Sequence, residues 1–262
     1  MTSSEKIAAI QAKMGKEPIS QLTAYDYPTA RMIDEAGIDM ILVGDSLGMT
    51  MLGFPDTTHV TLAHMLHHGE CVARAAKKAL VILDMPIHTF DTPEQAVENA
   101  RRLMTTGVDA VKLEGGVSKE AEIRAIVQAG IPVQAHIGLL PQKVKEEGGY
   151  HMKGKTDAET EALLADLQAV VRAGAFSVVI ECTRHSVAAM LTAASPIPTI
   201  GIGSGHGTCH GEVSVFHDLV GGFPWFIPGF VKPKANIAES IIRGVTEWKD
   251  ELLLPPAQQN QA

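Results

Sequence analysis

Ala79-Leu-Val-Ile-Leu-Asp84 is an apolar run that stops on a carboxylate. The same pattern stands on both sides of it: Met40-Ile-Leu-Val-Gly-Asp45 upstream, then Asp109-Ala-Val-Lys-Leu-Glu114 and Phe176-Ser-Val-Val-Ile-Glu181 downstream. Runs this continuous read as strands buried on both faces, as in a parallel sheet. An acid at the C-terminal end of such a strand carries a desolvation cost. Four acids at one end of the inferred sheet point to a shared metal or proton-transfer site. In a (β/α)8 barrel that end is where active sites are built.

Strand and helix signals alternate outward from these runs. Strands are expected near residues 19–24, 40–43, 80–83, 110–113, 133–136, 177–180 and 199–202. Helices are expected near 27–36, 62–78, 93–106, 119–129, 157–173 and 186–194. Gly37, Gly107, Gly130 and Gly174 each follow a helical stretch, where a left-handed cap ends the helix and the next strand begins. Residues 3–14 read as an amphipathic helix capped by Ser3 or Ser4, placed to plug the bottom of a barrel. An eighth strand is expected near 224–227 and a last helix over 235–252. The fold class is therefore α/β, a (β/α)8 TIM barrel with an N-terminal capping helix. It forms one domain over 1–254, and residues 255–262 are expected to be a disordered tail. A doubly wound sheet is the rival, but its Gly-rich first turn is missing.

The chain has 262 residues, 45% of them hydrophobic, enough for a sizeable core. Its 22 basic and 30 acidic residues give a formal charge of −8, which argues against a nucleic-acid surface. The start, Met1-Thr-Ser-Ser-Glu-Lys6, is polar and has no leader core. No apolar stretch approaches a membrane span. Cys71, Cys182 and Cys209 are odd in number and unpatterned, and read as reduced thiols of a cytoplasmic protein.

Asp45, Asp84 and Glu114 offer the oxygen donors Mg²⁺ prefers, and acids this close together would repel without a cation. The plainer reading of each is a helix cap or an ion-pair partner. Glu181 ends an unbroken apolar run, a setting that raises a carboxyl pKa and suits a general base; a salt bridge to Arg184 or Lys112 is the alternative. Lys112 alternates with Val111 and Leu113, so it shares the interior face with Ala110 and Glu114. Its partner there is a site carboxylate or an anionic substrate, and a Schiff-base role competes with both. His136 also ends a strand, where oxyanion stabilisation and a satisfied core histidine both fit. His64 and His68 lie i,i+4 without the Glu of H-E-x-x-H, and read as a solvated helix face. Gly201-Ile-Gly-Ser-Gly-His-Gly207 matches neither a dinucleotide fingerprint nor a P-loop. His206, Cys209 and His210 lack the second cluster a soft-metal site needs.

Leu22-Thr-Ala-Tyr-Asp-Tyr-Pro-Thr-Ala30, Val43-Gly-Asp-Ser-Leu-Gly-Met49, Val111-Lys-Leu-Glu-Gly115, Ala135-His-Ile-Gly138 with Pro141-Gln142, and Glu181-Cys182 together resemble the ketopantoate hydroxymethyltransferase family. That family belongs to the phosphoenolpyruvate mutase/isocitrate lyase superfamily, and the likeness runs in order from about residue 1 to about residue 250. The resemblance implies a Mg²⁺-dependent barrel that assembles as a homodecamer. It implies transfer of a one-carbon unit from the co-substrate 5,10-methylenetetrahydrofolate to the small 2-oxo acid 3-methyl-2-oxobutanoate, giving 2-dehydropantoate for pantothenate synthesis. It implies that Asp45 and Asp84 ligate Mg²⁺, with Glu114 beside it or reaching it through water. Ser46 and Lys112 would hold the substrate carboxylate, Glu181 would take the C3 proton, and His136 would help with charge or proton balance.

Three stretches depart from the usual family pattern: Asp84-Met-Pro-Ile-His-Thr-Phe90, Thr183-Arg184, and Gly203-Ser-Gly-His206 followed by Cys209-His-Gly-Glu212. All fall in predicted βα loops, where substrate choice is set. The alternatives are the same transfer to another 2-oxo acid, and lyase or mutase chemistry on a 2-oxo acid.

Overall fold

The computed structural model describes residues 1–253. Eight parallel strands close a barrel in sequential order: β1 (Ile19–Thr23), β2 (Met40–Val43), β3 (Leu80–Asp84), β4 (Ala110–Glu114), β5 (Val133–Gly138), β6 (Ser177–Glu181), β7 (Thr199–Ile202) and β8 (Gly211–Ser214), which pairs back onto β1. The helices are α1 (Ser3–Lys13), α2 (Tyr27–Glu35), the short α3 (Leu47–Thr50), α4 (Leu62–Ala75), α5 (Pro93–Met104), α6 (Glu120–Gln128), α7 (Asp157–Ala173), α8 (His185–Ala194), the short α9 (Phe216–Leu219) and α10 (Ile237–Glu251). From α2 through α4, α5, α6 and α7 to α8, each long helix packs on the next. The four expected cap glycines all adopt positive φ, between 81° and 94°.

Alternation decides which side chains enter the barrel. Leu80, Ile82 and Asp84 share one face of β3; Ala110, Lys112 and Glu114 share one face of β4. Gln134 and His136 do so on β5, and Ser177, Val179 and Glu181 on β6. Leu80, Ile82, Ala110 and Val179 belong to one core cluster with Ile19, Met40 and Ile200, so this face is the interior. The strand register then sets Asp84 beside Lys112 and Glu114 beside His136. Gln21, Gln134 and Ser177 form a hydrogen-bonded polar layer within the barrel.

Helix α1 plugs the bottom, as expected. Ile10 is 4% exposed and joins the barrel-core cluster, with Ile7 packed against it. Lys6 Nζ donates to Asp109 Oδ2 (2.8 Å) and to the Ala79 carbonyl (2.9 Å), and Ser3 Oγ donates to Asp109 Oδ1 (2.7 Å). Both partners lie just ahead of strands, at the end opposite the acids. The cap is Thr2 rather than Ser3 or Ser4, because Thr2 and Glu5 complete a reciprocal capping box.

The eighth strand is Gly211–Ser214, not 224–227. Residues 203–210 link β7 to β8 with no helix, which breaks the βα rhythm that guided the expectation. The strand carries only Val213 as an apolar side chain, so it makes no run. A Cβ on Gly211 would stand 2.2 Å from the Ile19 carbonyl oxygen, so only glycine lets β8 close against β1. Pro224 and Pro228 bracket an irregular stretch in which Trp225 and Phe226 are exposed.

The chain divides into two compact units, Met1–Ser214 with the barrel, and the segment from Val215 onward. In the second, α10 is capped by Asn236 and has no buried residue. The expected tail, 255–262, lies outside the described residues. No helix among the described residues is long and apolar enough to cross a membrane.

Candidate active site

The predicted residues converge at the C-terminal mouth of the barrel. Asp84 ends β3 and is 2% exposed. Its Oδ1 lies 2.5 Å from Lys112 Nζ, and its Oδ2 accepts the backbone N–H of Asp45 (3.1 Å). Asp45 follows β2 and is buried. Ser46 Oγ lies 2.8 Å from the hydroxyl of Tyr25, whose ring is fully buried. On the other side of Lys112, His136 sits between two carboxylates. Its Nδ1 is 3.6 Å from Glu114 Oε1, and its Nε2 is 3.3 Å from Glu181 Oε2. Glu181 is half-buried, whereas Asp84, Lys112, Glu114 and His136 are buried. Gly138 has φ of 95°, and a Cβ there would lie 2.3 Å from the Glu181 carbonyl oxygen. Glycine is required for β5 to run this close to the end of β6.

Lys112 thus pairs with Asp84, and Glu181 faces His136 rather than forming a salt bridge with Arg184 or Lys112. Four carboxylates face one ammonium. Burial, then Asp84, pushes Asp45 up to about 7, and Lys112 and Gln142 only partly offset this. Burial and the neighbouring Asp45 likewise raise Glu114 well above its ordinary range. Burial would depress Lys112, but Asp84, Glu114 and Asp45 outweigh it and raise the ammonium pKa. Burial lowers His136, so the imidazole is neutral near pH 7.

A cluster of buried oxygen donors short of positive charge fits Mg²⁺. That ion takes one or two carboxylates and completes its shell with water and substrate oxygens. Among the described residues no three His, Cys, Asp or Glu side chains group closely enough to hold an ion by themselves.

Sequence reading assigned no role to Gln142 or Tyr25, though both lie in quoted motifs. Each is a neutral polar side chain in a loop, so neither periodicity nor charge singles it out. The weaker candidates lie elsewhere. His64 completes a capping box with Thr61. His68 is half-buried, with Nδ1 2.6 Å from the Tyr25 carbonyl oxygen. His206 pairs with Glu212 and His210 with Thr199.

Fold and site together define an enzyme of the barrel class that gathers acids, a lysine and a histidine at its strand ends. Phosphoenolpyruvate phosphomutase from Streptomyces platensis subsp. rosaceus shares the fold, with a TM-score of 0.69 and 15% identity, covering 98% of this chain and 93% of that one. So does 2,3-dimethylmalate lyase, a phosphoenolpyruvate mutase/isocitrate lyase superfamily member, with a TM-score of 0.62 and 18% identity over 96% and 89% of the two chains.

Sequence comparison goes further. Residues 4–253 match the ketopantoate hydroxymethyltransferase family. The 3-methyl-2-oxobutanoate hydroxymethyltransferase of Moorella thermoacetica is 49% identical over 238 residues, 90% of this chain and 88% of the relative. The chain belongs to the ketopantoate hydroxymethyltransferase family and is an enzyme that transfers a hydroxymethyl group.

Proposed function

We propose that the enzyme catalyses Mg²⁺-dependent, aldol-type hydroxymethylation of 3-methyl-2-oxobutanoate in pantothenate biosynthesis, with 5,10-methylenetetrahydrofolate as one-carbon donor. The substrate, the donor and water give 2-dehydropantoate and tetrahydrofolate. The C3–H bond and both N–CH₂ bonds of the donor break, a C3–CH₂ bond forms, water supplies the hydroxyl group, and the two folate nitrogens take up the C3 proton and the remaining proton of water. The observation that carries this reading is a half-buried carboxylate, Glu181, held across His136 from a buried acid cluster short of positive charge.

Asp45 and Asp84 would hold the metal, with Glu114 beside it or reaching it through water. Mg²⁺, when bound, acts as a Lewis acid on the keto group and stabilises the negative charge that develops as C3 loses its proton. Lys112 and Ser46 bind the oxo-acid carboxylate. Lys112 has three N–H donors and spends one on Asp84, so it retains donors for substrate. Glu181 removes the C3 proton. His136, neutral, stands with Nε2 3.3 Å from Glu181 Oε2 and supports the charge and proton balance of that carboxylate. The apolar stripe Ile241, Val245, Trp248 and Leu252 along α10 is exposed, which supports a homo-oligomer such as the implied decamer.

Proton–deuterium exchange at C3 of 3-methyl-2-oxobutanoate, followed by NMR without folate, tests the reading. Wild type should exchange the proton only with Mg²⁺, and Glu181→Gln should bind substrate and metal without exchange. Metal-independent exchange, or exchange by Glu181→Gln at the wild-type rate, would overturn it. Exchange confined to another 2-oxo acid would reassign the substrate and leave the chemistry in place.

A further inference from the structure

Gln142 ties three strand ends together with one residue. It is 4% exposed and lies in the turn Pro141–Lys143 after β5. Its side-chain Nε2 donates to Asp45 Oδ2 (2.9 Å), beyond β2, and to the Met85 carbonyl oxygen (3.0 Å), beyond β3. Its backbone N–H donates to Glu114 Oε2 (3.1 Å), at the end of β4. Both amide protons are therefore used, and each carboxylate is fixed through one oxygen. The opposite oxygen of Glu114 faces His136. The opposite oxygen of Asp45 takes no hydrogen bond among the described residues.

An ionised carboxylate only accepts hydrogen bonds, so a donor that binds one oxygen sets the direction of the other. The neutral Gln142 amide gives Asp45 such a donor and is itself anchored on the Met85 carbonyl oxygen, while the backbone N–H holds Glu114. A glutamate at this position would add another negative charge, and an apolar side chain would leave Asp45 free to rotate.

Building on the Mg²⁺ reading above, we propose that the Gln142 side chain is a positioning group of the metal site, which aims Asp45 at the cation. Groups that orient ligating carboxylates typically change metal affinity by about 10–100-fold when removed.

Mn²⁺ titration followed by electron paramagnetic resonance, on the full-length protein, tests this without relying on turnover. Gln142→Met keeps the volume and removes both donors. It should melt like wild type yet bind Mn²⁺ about 10–100-fold more weakly. In C3 exchange, its KM for the oxo acid should fall toward the wild-type value as metal is raised, while kcat at saturating metal stays within about threefold. A packing role alone would move neither the metal affinity nor this metal-dependent split. If Gln142→Met does not fold, Gln142→Asn, whose amide is one methylene short of Asp45, carries the same expectation. Wild-type Mn²⁺ affinity in the folded variant would overturn the proposal. Asp45→Asn separates the two failures. If it too binds Mn²⁺ like wild type, the metal reading falls and this role with it; if it alone loses the ion, only the role of Gln142 falls.

Discussion

Asp45→Asn should make the metal-free protein more stable at neutral pH. Burial and Asp84 push the Asp45 carboxyl from its ordinary 3.8 up to about 7. The sign follows from proton counting. Between about pH 4 and pH 7 the folded state keeps this proton and the unfolded chain has lost it, so folding weakens by about 1.4 kcal/mol per pH unit. The cost is absent below about pH 4 and reaches about 4 kcal/mol above pH 7. Asparagine removes the charge and keeps an oxygen that accepts from Gln142. Urea denaturation in EDTA should therefore show the advantage of the variant growing by roughly 2–3 kcal/mol between pH 5 and pH 8. In thermal melts of a protein this size that is roughly 5–10 °C. Asparagine also removes the part of the Glu114 shift that Asp45 causes and leaves the part due to burial, so the change at Glu114 has the same sign. Saturating Mg²⁺ should remove the advantage, because it supplies the wild type with the missing positive charge and stabilises only the folded state that binds it. Equal stability at pH 8, or an advantage just as large at pH 5, would refute the reasoning.

Three further outcomes rest on other parts of the fold. Ile10→Ala deletes a buried plug side chain and should cost about 2–4 kcal/mol in urea unfolding, with activity retained below the transition. Gly211→Ala places a methyl 2.2 Å from the Ile19 carbonyl, so it should open the β8–β1 seam and cost more than about 3 kcal/mol, read as loss of soluble or cooperatively melting protein. Lys112→Met should weaken oxo-acid binding roughly 10–100-fold in calorimetric titration, the scale of one or two charge-assisted hydrogen bonds. Its Mn²⁺ affinity should not fall, since the ammonium competes with the cation for Asp84.

Much of the fold was legible because strands buried on both faces are mostly apolar, as β2, β3, β4 and β6 are ahead of their C-terminal acids, Lys112 and Ser177 aside. The interior placement of Lys112 and Glu114 followed from counting by twos along β4. Where the run fails, so does the reading. β8 has one apolar side chain and a glycine chosen by the nearness of β1, which no local pattern reveals. The cap of α1 shifted by one residue because Thr2 and Glu5 satisfy each other's backbone groups. Gln142 passed unassigned because a lone amide in a turn has no period and no charge.

Composition and alternation determined the barrel, the N-terminal plug, the end of the barrel that carries chemistry, and the acids that gather there. These depend on which side chains tolerate burial and on a period of two, both written in the chain. Only the tertiary structure decided how those acids relate: that Lys112 answers Asp84, that His136 stands between Glu114 and Glu181, and that Gln142 holds Asp45 and Glu114 from a distant turn. Glu114 and Gln142 are 28 residues apart in the chain, Asp45 and Gln142 97. Contacts of that span are set by strand register and barrel closure, and so are the field and burial that shift each group's proton affinity.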